Sequence, residues 1–264
     1  MGREHEIIKR LERELEKYRV RLRGIEDFKI RDSVFDRRTL MALFKVLKLG
    51  IVDSFYGVVS TGKEAHVYWA KDPQGRDLAV KIYRTATSEF KKSMWMYIDG
   101  DPRFAHVKKL MWPLIVEWAK KEFKNLQRAC EAEVLVPRPI KVVKNVLVME
   151  FIGEEGIPAP QIRQVTLEDP DGVFNTVLEF VKRLYQRAHL VHGDLSEYNI
   201  LYWNDQPYFI DMAQSVLIKH PMAHHFLLRD LKNILRFFSS RGVEVPTLEG
   251  AFTYVTGHEP EELI

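Results

Sequence analysis

The stretch Val191-His192-Gly193-Asp194-Leu195-Ser196-Glu197-Tyr198-Asn199-Ile200 constrains the fold of this chain more than any other. Asp194 and Asn199 stand five apart on a polar loop with apolar residues at both ends, and twelve residues beyond Asn199 a second acid, Asp211, ends the apolar run Tyr208-Phe209-Ile210. Buried ends hold a polar middle in place, so the chain must fold around a core that presents two carboxylates and an amide at one mouth. In the pattern H-x-D-x-x-x-x-N, one loop offers a carboxylate to an attacking oxygen while its amide coordinates a metal ion, and the later acid completes the metal site. Either acid alone reads as a cap or turn residue. Their order and spacing single them out.

Length and composition allow such a core. A chain of 264 residues, 46% hydrophobic and 29% charged, excludes a disordered tail or a disulfide-stapled mini-protein. Folding at this size buries roughly 70 to 75% of the unfolded surface, which suits one large domain or two lobes sharing a cleft. Cys130 is the only cysteine, so no intramolecular disulfide and no multi-cysteine structural zinc site is expected, and a reducing, cytoplasmic location is. Met1 to Tyr18 is charged, unlike a signal peptide, and no run of 18 uncharged apolar residues offers a membrane span.

Periodicity then divides the chain. Residues 1–50 read as a helical extension: a charged helix over 1–23 with an apolar stripe at Ile8, Leu11, Leu15, Tyr18 and Leu22, and a helix from Asp36 to Leu49 that Asp36 caps and Gly50 ends. Residues 51–152 read as an N-lobe. Phe55 to Val59, Ala65 to Ala70 and Leu78 to Tyr83 are strand-like and joined by turns, an antiparallel meander. Residues 84–112, punctuated by Asp99-Gly100-Asp101-Pro102, read as a flexible insert. Helix Leu114 to Ala132 carries Ile115, Trp118, Ala119, Glu122, Leu126, Ala129 and Cys130 on its inward stripe, with Glu117, Lys120, Lys121, Lys124 and Arg128 on a solvated face. Val146 to Ile152 reads as a buried strand. Residues 153–264 read as a mainly helical C-lobe, opening on a connector through Pro160, with helices over Val173 to Arg187 and Pro221 to Phe238 and a hairpin turning at Asn204-Asp205. The class is α+β.

Gly57 to Lys63 spells G-x-x-x-x-G-K. Glu64, however, cannot supply the hydroxyl that a Walker loop places on Mg²⁺, and a strand pattern follows where that mechanism needs a helix N-terminus. A glycine-rich hairpin over a nucleotide fits better. With Val67 closing G-x-G-x-x-G-x-V, Ser60, Gly62 and Ala65 take the glycine positions, where small residues let backbone N–H groups approach phosphate oxygens; Ser60 and Thr61 add hydroxyls, with Lys63 beside them. Ala79-Val80-Lys81 lies 14 residues beyond Val67 and resembles V-A-I-K. An ammonium in an apolar strand needs an anion. Glu122, on the inward stripe of the next helix, is favoured for that role; Glu117 is the alternative, pairing instead with Lys121 on the outer face.

Together these residues resemble the RIO family of atypical protein kinases, type-one branch, over nearly the whole chain. The marks are Ser60-Thr61-Gly62-Lys63-Glu64-Ala65, Lys81-Ile82-Tyr83, His192 to Ile200 and Ile210-Asp211-Met212-Ala213-Gln214. The resemblance implies a bilobal protein-kinase-like fold with an antiparallel N-lobe sheet and a truncated helical C-lobe without an activation segment. It implies ATP bound through Ser60, Thr61, Gly62, Lys63, Lys81 (paired with Glu122) and a hinge at Met149, Glu150 and Ile152. Mg²⁺, with Mn²⁺ as an alternative, would sit on Asn199 and Asp211. Asp194 would act on the acceptor, and Asp211 would itself accept phosphate transiently. The activities implied are serine autophosphorylation and ATPase turnover, in maturation of the small ribosomal subunit. Fifty residues before the first strand leave little room for the winged helix of the type-two branch, and the short C-terminus fits a compact, archaeal-type member. With 53 residues after Asp211, no Ala-Pro-Glu motif, and Ser196 where a lysine is usual, slow transfer to free peptides is expected.

Two other readings share features of the sequence. Small-molecule kinases of the aminoglycoside or choline type have the H-G-D-x-x-x-x-N loop and no activation segment, and an ATP-binding scaffold without chemistry would keep the fold; the presence of all five polar positions opposes the scaffold. Lys81 to Arg128 holds 11 Lys and Arg against 5 Asp and Glu, a basic N-lobe face that either contacts a small-subunit precursor, through its RNA or proteins, or is simply solvated. His220, His224 and His225 read as a polar helix start, not a metal site. Asp230 either braces the catalytic loop or faces solvent.

Overall fold

The computed structural model describes residues 37–84, 94–108 and 110–259; the helix expected over residues 1–23 and the Asp36 cap lie outside them. Helix α1 (Arg37–Lys48) turns Ala42, Leu43 and Val46 toward the sheet. It stops before Gly50, whose φ of 66° is a left-handed turn that glycine adopts without steric cost.

Strands β1 (Ser54–Thr61), β2 (Ala65–Lys71), β3 (Asp77–Tyr83), β4 (Pro139–Val143) and β5 (Val146–Glu150) form one antiparallel sheet in the order β1-β2-β3-β5-β4. The two-residue alternation of a strand sorts β3. Leu78, Val80 and Ile82 pack under α1 in a small core of their own, while Lys81 and Tyr83 project to the opposite face, toward helix α2 (Met111–Glu131).

The described part of the insert expected over 84–112 carries local structure. A helical turn over 94–98 and a 3-10 turn (Pro102–Phe104) bury Met94, Tyr97, Ile98 and Phe104 in the main core, with Tyr97 and Phe104 against Trp118 of α2. Burying these large apolar side chains offsets the entropy of ordering the segment.

The chain leaves β5 through a hairpin, β6 (Gly153–Glu154) and β7 (Ile157–Pro158), clamped to the N-lobe sheet. Gly156, at φ 81°, lies so close to Trp69 that an added Cβ would stand 2.4 Å from the ring. The Trp69 Nε1–H and the Glu155 N–H donate to the two oxygens of Asp77 at 2.8 and 3.0 Å.

In the C-lobe, Asp169 caps helix α3 (Pro170–Gln186) by accepting from the Gly172 N–H at 2.9 Å, with Pro170 in the first turn. Strands β8 (Leu190–Val191), β9 (Ile200–Trp203), β10 (Gln206–Phe209) and β11 (Val216–Leu217) follow, then helices α4 (Ala223–Ser239) and α5 (Leu248–Thr256). Asn204 and Asp205, at φ 49° and 57°, make the two-residue β9–β10 turn, whose backbone requires positive φ at both positions. β11 pairs back onto β8 soon after Asp211, and α4 starts at Ala223. Residues 212–222 therefore hold no activation segment, and the architecture is bilobal and kinase-like.

Candidate active site

A cleft of about 540 Å³ separates the sheet from the C-lobe. Its floor begins with the loop after β8. His192 is buried; its Nε2–H donates to the Ile210 carbonyl at 2.9 Å and its Nδ1 accepts from the Asp194 N–H at 3.3 Å. Burial pushes its pKa down to about 4, so at neutral pH it is an uncharged strut between the loop carrying Asp194 and the strand end carrying Asp211. From below, buried Asp230 of α4 accepts from the N–H groups of Gly193 and Leu195 at 2.7 and 2.8 Å. Of the two roles open to it from sequence, Asp230 has the bracing one. Burial pushes its pKa up to about 7, against the pull of those two N–H bonds. Arg229 donates to the Gly193 carbonyl, and Asn233 donates to the Leu195 carbonyl at 3.1 Å.

This support leaves Asp194 at the mouth of the cleft. Asn199 donates its Nδ2 to both the backbone oxygen and Oδ2 of Asp194, at 2.7 and 3.1 Å. Burial raises the Asp194 pKa, with Arg229 opposing, a shift toward the range of a working proton acceptor.

Opposite stands Lys81. Its Nζ lies 2.8 Å from Oε1 of Glu122 and 2.6 Å from Oδ1 of Asp211. The Tyr83 hydroxyl donates to the other oxygen of Glu122. Burial works against the ammonium, yet the charges of Asp211 and Glu122 hold the Lys81 pKa above its ordinary value; Lys81 in turn holds Asp211 below the usual carboxylate range. Burial pushes Glu122 up, with Lys81 opposing. Glu117 pairs with Lys120, at 3.0 Å. Asp211 takes φ of 60°, a left-handed backbone that Asp tolerates better than most residues, and its side chain is 52% exposed into the cleft.

The roof is the β1–β2 hairpin, where the Gly62 N–H donates to the Ala65 carbonyl at 2.9 Å. Ser60, Gly62, Lys63, Lys81, Glu122, Met149, Glu150, Ile152, Asp194 and Asp211 all line the cleft. Thr61, at the exposed end of β1, and Asn199, behind Asp194, do not. At the hinge, Glu150 spends its N–H on the Arg138 carbonyl and Ile152 its carbonyl on the Ala159 N–H, each at 2.9 Å.

The donor set fits Mg²⁺. Lys81 takes Oδ1 of Asp211 and Asp194 takes Nδ2 of Asn199, so Oδ2 of Asp211 and Oδ1 of Asn199 are the hard oxygen donors left, the chemistry Mg²⁺ prefers. Among the described residues, no group of three or more His, Cys, Asp or Glu side chains converges on another cation site. No helix among them is long and apolar enough to cross a membrane.

Sequence reasoning misplaced Lys121. Assigned to the solvated face of α2, it is 1% exposed, donates to the Ala213 carbonyl at 3.0 Å and lies over the Trp118 ring. A single helical stripe implies one contact surface, but α2 is covered on a second side by residues 94–104. The basic face is correspondingly weaker than its sequence count, because Lys81, Lys121 and Arg103 are turned inward. The sequence assigns no role to the Tyr83 hydroxyl or to Asn125. Asn125 falls one turn after Lys121, on the face the sequence assigns to solvent.

The family model described as RIO domain matches residues 66–251. The RIO-type serine/threonine-protein kinase Rio1 of Haloferax volcanii is 41% identical over 256 residues, 97% of this chain and 87% of that protein. The Rio1 kinase of Methanocaldococcus jannaschii is 44% identical over 236 residues, 89% of this chain and 80% of that one. The human serine/threonine-protein kinase RIO1 is 42% identical over 229 residues, 85% of this chain and 40% of the human protein. Among solved structures, the Rio2 kinase ADP/Mg²⁺-phosphoaspartate complex from Chaetomium thermophilum has a TM-score of 0.60 and 25% identity, covering 83% of this chain and 66% of that one. Fold, cleft and relatives agree: the chain is a phosphotransferase and belongs to the RIO family of atypical serine/threonine-protein kinases.

Proposed function

We propose that the chain uses ATP and Mg²⁺ to phosphorylate itself on serine and to turn over ATP slowly through a phosphorylated Asp211, as a switch in small ribosomal subunit maturation. The observation that carries the chemistry is the convergence of Lys81, Asp211 and Asp194 in one cleft, with Asn199 fixed behind Asp194. Lys81 would sit against the α- and β-phosphates, the Glu150 carbonyl and Ile152 N–H would meet the adenine edge, and the β1–β2 hairpin would cover the phosphates. Asn199 and Asp211 would hold Mg²⁺, which supplies positive charge against that developing on the transferring phosphoryl group. The bond from the γ-phosphorus to the ADP oxygen breaks as a bond to the acceptor oxygen forms. With a serine acceptor, Asp194 takes the hydroxyl proton. With Asp211 as acceptor, its carboxylate oxygen attacks directly, and water later releases phosphate. The phosphoaspartate in the Chaetomium thermophilum Rio2 complex supports the second route. The ribosomal part of the proposal rests on the resemblance, and co-sedimentation with small-subunit precursors tests it.

The decisive experiment incubates the protein with γ-labelled ATP and Mg²⁺. Label on Asp211 should be released by hydroxylamine, whereas label on serine should resist it. No Mg²⁺-dependent label and no ADP would sink the proposal. Strong stimulation by small alcohols or amines would point to a small-molecule kinase instead.

A further inference from the structure

Behind the cleft lies a group of buried polar side chains that the chemistry above does not use: Asp101, Lys121 and Asn125, at 4%, 1% and 0% exposure. Arg103 ties Asp101 to Asn125. Its Nε and Nη2 grip the Asp101 carboxylate at 2.6 to 3.0 Å, and its Nη1 donates to Oδ1 of Asn125 at 2.7 Å. With its oxygen so engaged, Asn125 must aim Nδ2 the other way, and Nδ2 donates to the carbonyls of Met212 and Ser215 at 2.8 and 3.1 Å. One turn earlier Lys121 holds the Ala213 carbonyl. The same helix carries Glu122, which grips Lys81, which meets Asp211. A closed ring therefore runs from Asp211 through Lys81, Glu122, the helix and Asn125 back to the residue after Asp211.

We infer that Arg103 is a positioning residue for Asp211, acting through the amide of Asn125. Without Arg103 the fully buried Oδ1 of Asn125 loses its donor, and an amide that shifts to recover one gives up its hold on the two carbonyls. The backbone it anchors leaves Asp211 in the left-handed region, from which a loosened main chain could relax to the commoner negative-φ conformations. Arg103 belongs to the segment read from sequence as a flexible insert, so that segment sets the geometry of the acid at the centre of the cleft. This inference rests on the proposed role of Asp211.

The test combines Arg103→Met, Arg103→Lys and Asn125→Ala with kinetics and hydrogen exchange. Arg103→Lys keeps a cation for Asp101 but gives up the second arm to Asn125, and serves if Arg103→Met fails to fold. Either variant should lower kcat by about 10- to 100-fold, the scale of a remote misplacement near 1 Å, with KM for ATP unchanged. Amides 212–216 should exchange faster while those of 146–150 do not. In the Asn125→Ala background, losing Arg103 should cost no further kcat. Lower thermal stability with wild-type kcat and unchanged exchange at 212–216, or losses that add across the two sites, would overturn the inference. Asp211→Asn serves as the control on the underlying reading: if it turns over ATP normally the role of Asp211 fails, whereas an inactive Asp211→Asn beside a fully active Arg103→Lys refutes the positioning alone.

Discussion

Protonation of His192 should make the C-lobe sensitive to acid. The imidazole is 2% exposed, donates from Nε2 to the Ile210 carbonyl and accepts at Nδ1 from the Asp194 N–H. A second proton would go on Nδ1, replacing that acceptance by a clash between donors while charging a ring walled in by Phe209. Its pKa falls from 6.5 in the unfolded chain to about 4 in the fold. At about 1.4 kcal/mol for each tenfold difference in proton affinity, the gap corresponds to about 3 kcal/mol. Because the folded value is the depressed one, stability from this site is intact above pH 6.5, declines as pH falls toward 4 and is lost below. A domain typically has only about 5 to 15 kcal/mol in total. The assay is urea unfolding between about pH 7 and pH 4.5, with wild type compared to His192→Gln, which keeps an N–H donor and has no proton to take up. Carboxylates titrate in both proteins, so the difference between the two curves isolates the ring. The wild type should lose about 2 kcal/mol more than His192→Gln over that range. Parallel curves would refute the reasoning, since they would mean that the ring is protonated, or free to be, in the folded protein.

Other outcomes follow from the same geometry. Asp194→Ala and Asp211→Asn should each reduce ATP turnover by about 10²- to 10³-fold with the circular dichroism spectrum unchanged, and wild-type turnover in both would contradict the assigned roles. Gly156→Ala would put a Cβ into the Trp69 ring at a φ of 81°, costing about 1 to 3 kcal/mol; an unchanged melting temperature would show that the hairpin yields. Asp230→Ala leaves the buried N–H groups of Gly193 and Leu195 without their acceptor, at about 1 to 3 kcal/mol each. Turnover should fall as the loop loosens, and a variant with wild-type melting and rate would show that other groups hold it.

What could be read from the sequence was local. The β1–β3 meander follows from strand alternation and turn residues, and Asn204-Asp205 announces its own hairpin. Glu122 stood out because one acid on an apolar stripe needs a cation. What escaped depended on contacts between distant segments. Lys121 and Asn125 are polar residues on a helix, and only the packing of residues 94–104 against a second side of that helix buries them. Strand β4 opens on Pro139 and exposes Ile140 and Lys141, as an edge strand may, which hides its alternation. Helix α5 has a Thr247 cap and a left-handed Gly257 stop, but nine residues are too few to display a helical period.

The left-handed backbone at Asp211 limits which substitutions there can be interpreted. Residues with an ordinary Cβ pay about 1 to 2 kcal/mol in that region, whereas Asn, like Asp, visits it readily and Gly does so at no steric cost. Alanine at 211 would therefore confound loss of the carboxylate with a shifted main chain, and the shift would propagate to the Met212 and Ala213 carbonyls that Asn125 and Lys121 hold. Asn isolates the charge, and Gly isolates the side chain. Glu keeps the charge but changes its reach. One main-chain torsion thus decides which substitutions at the centre of the cleft report on chemistry alone.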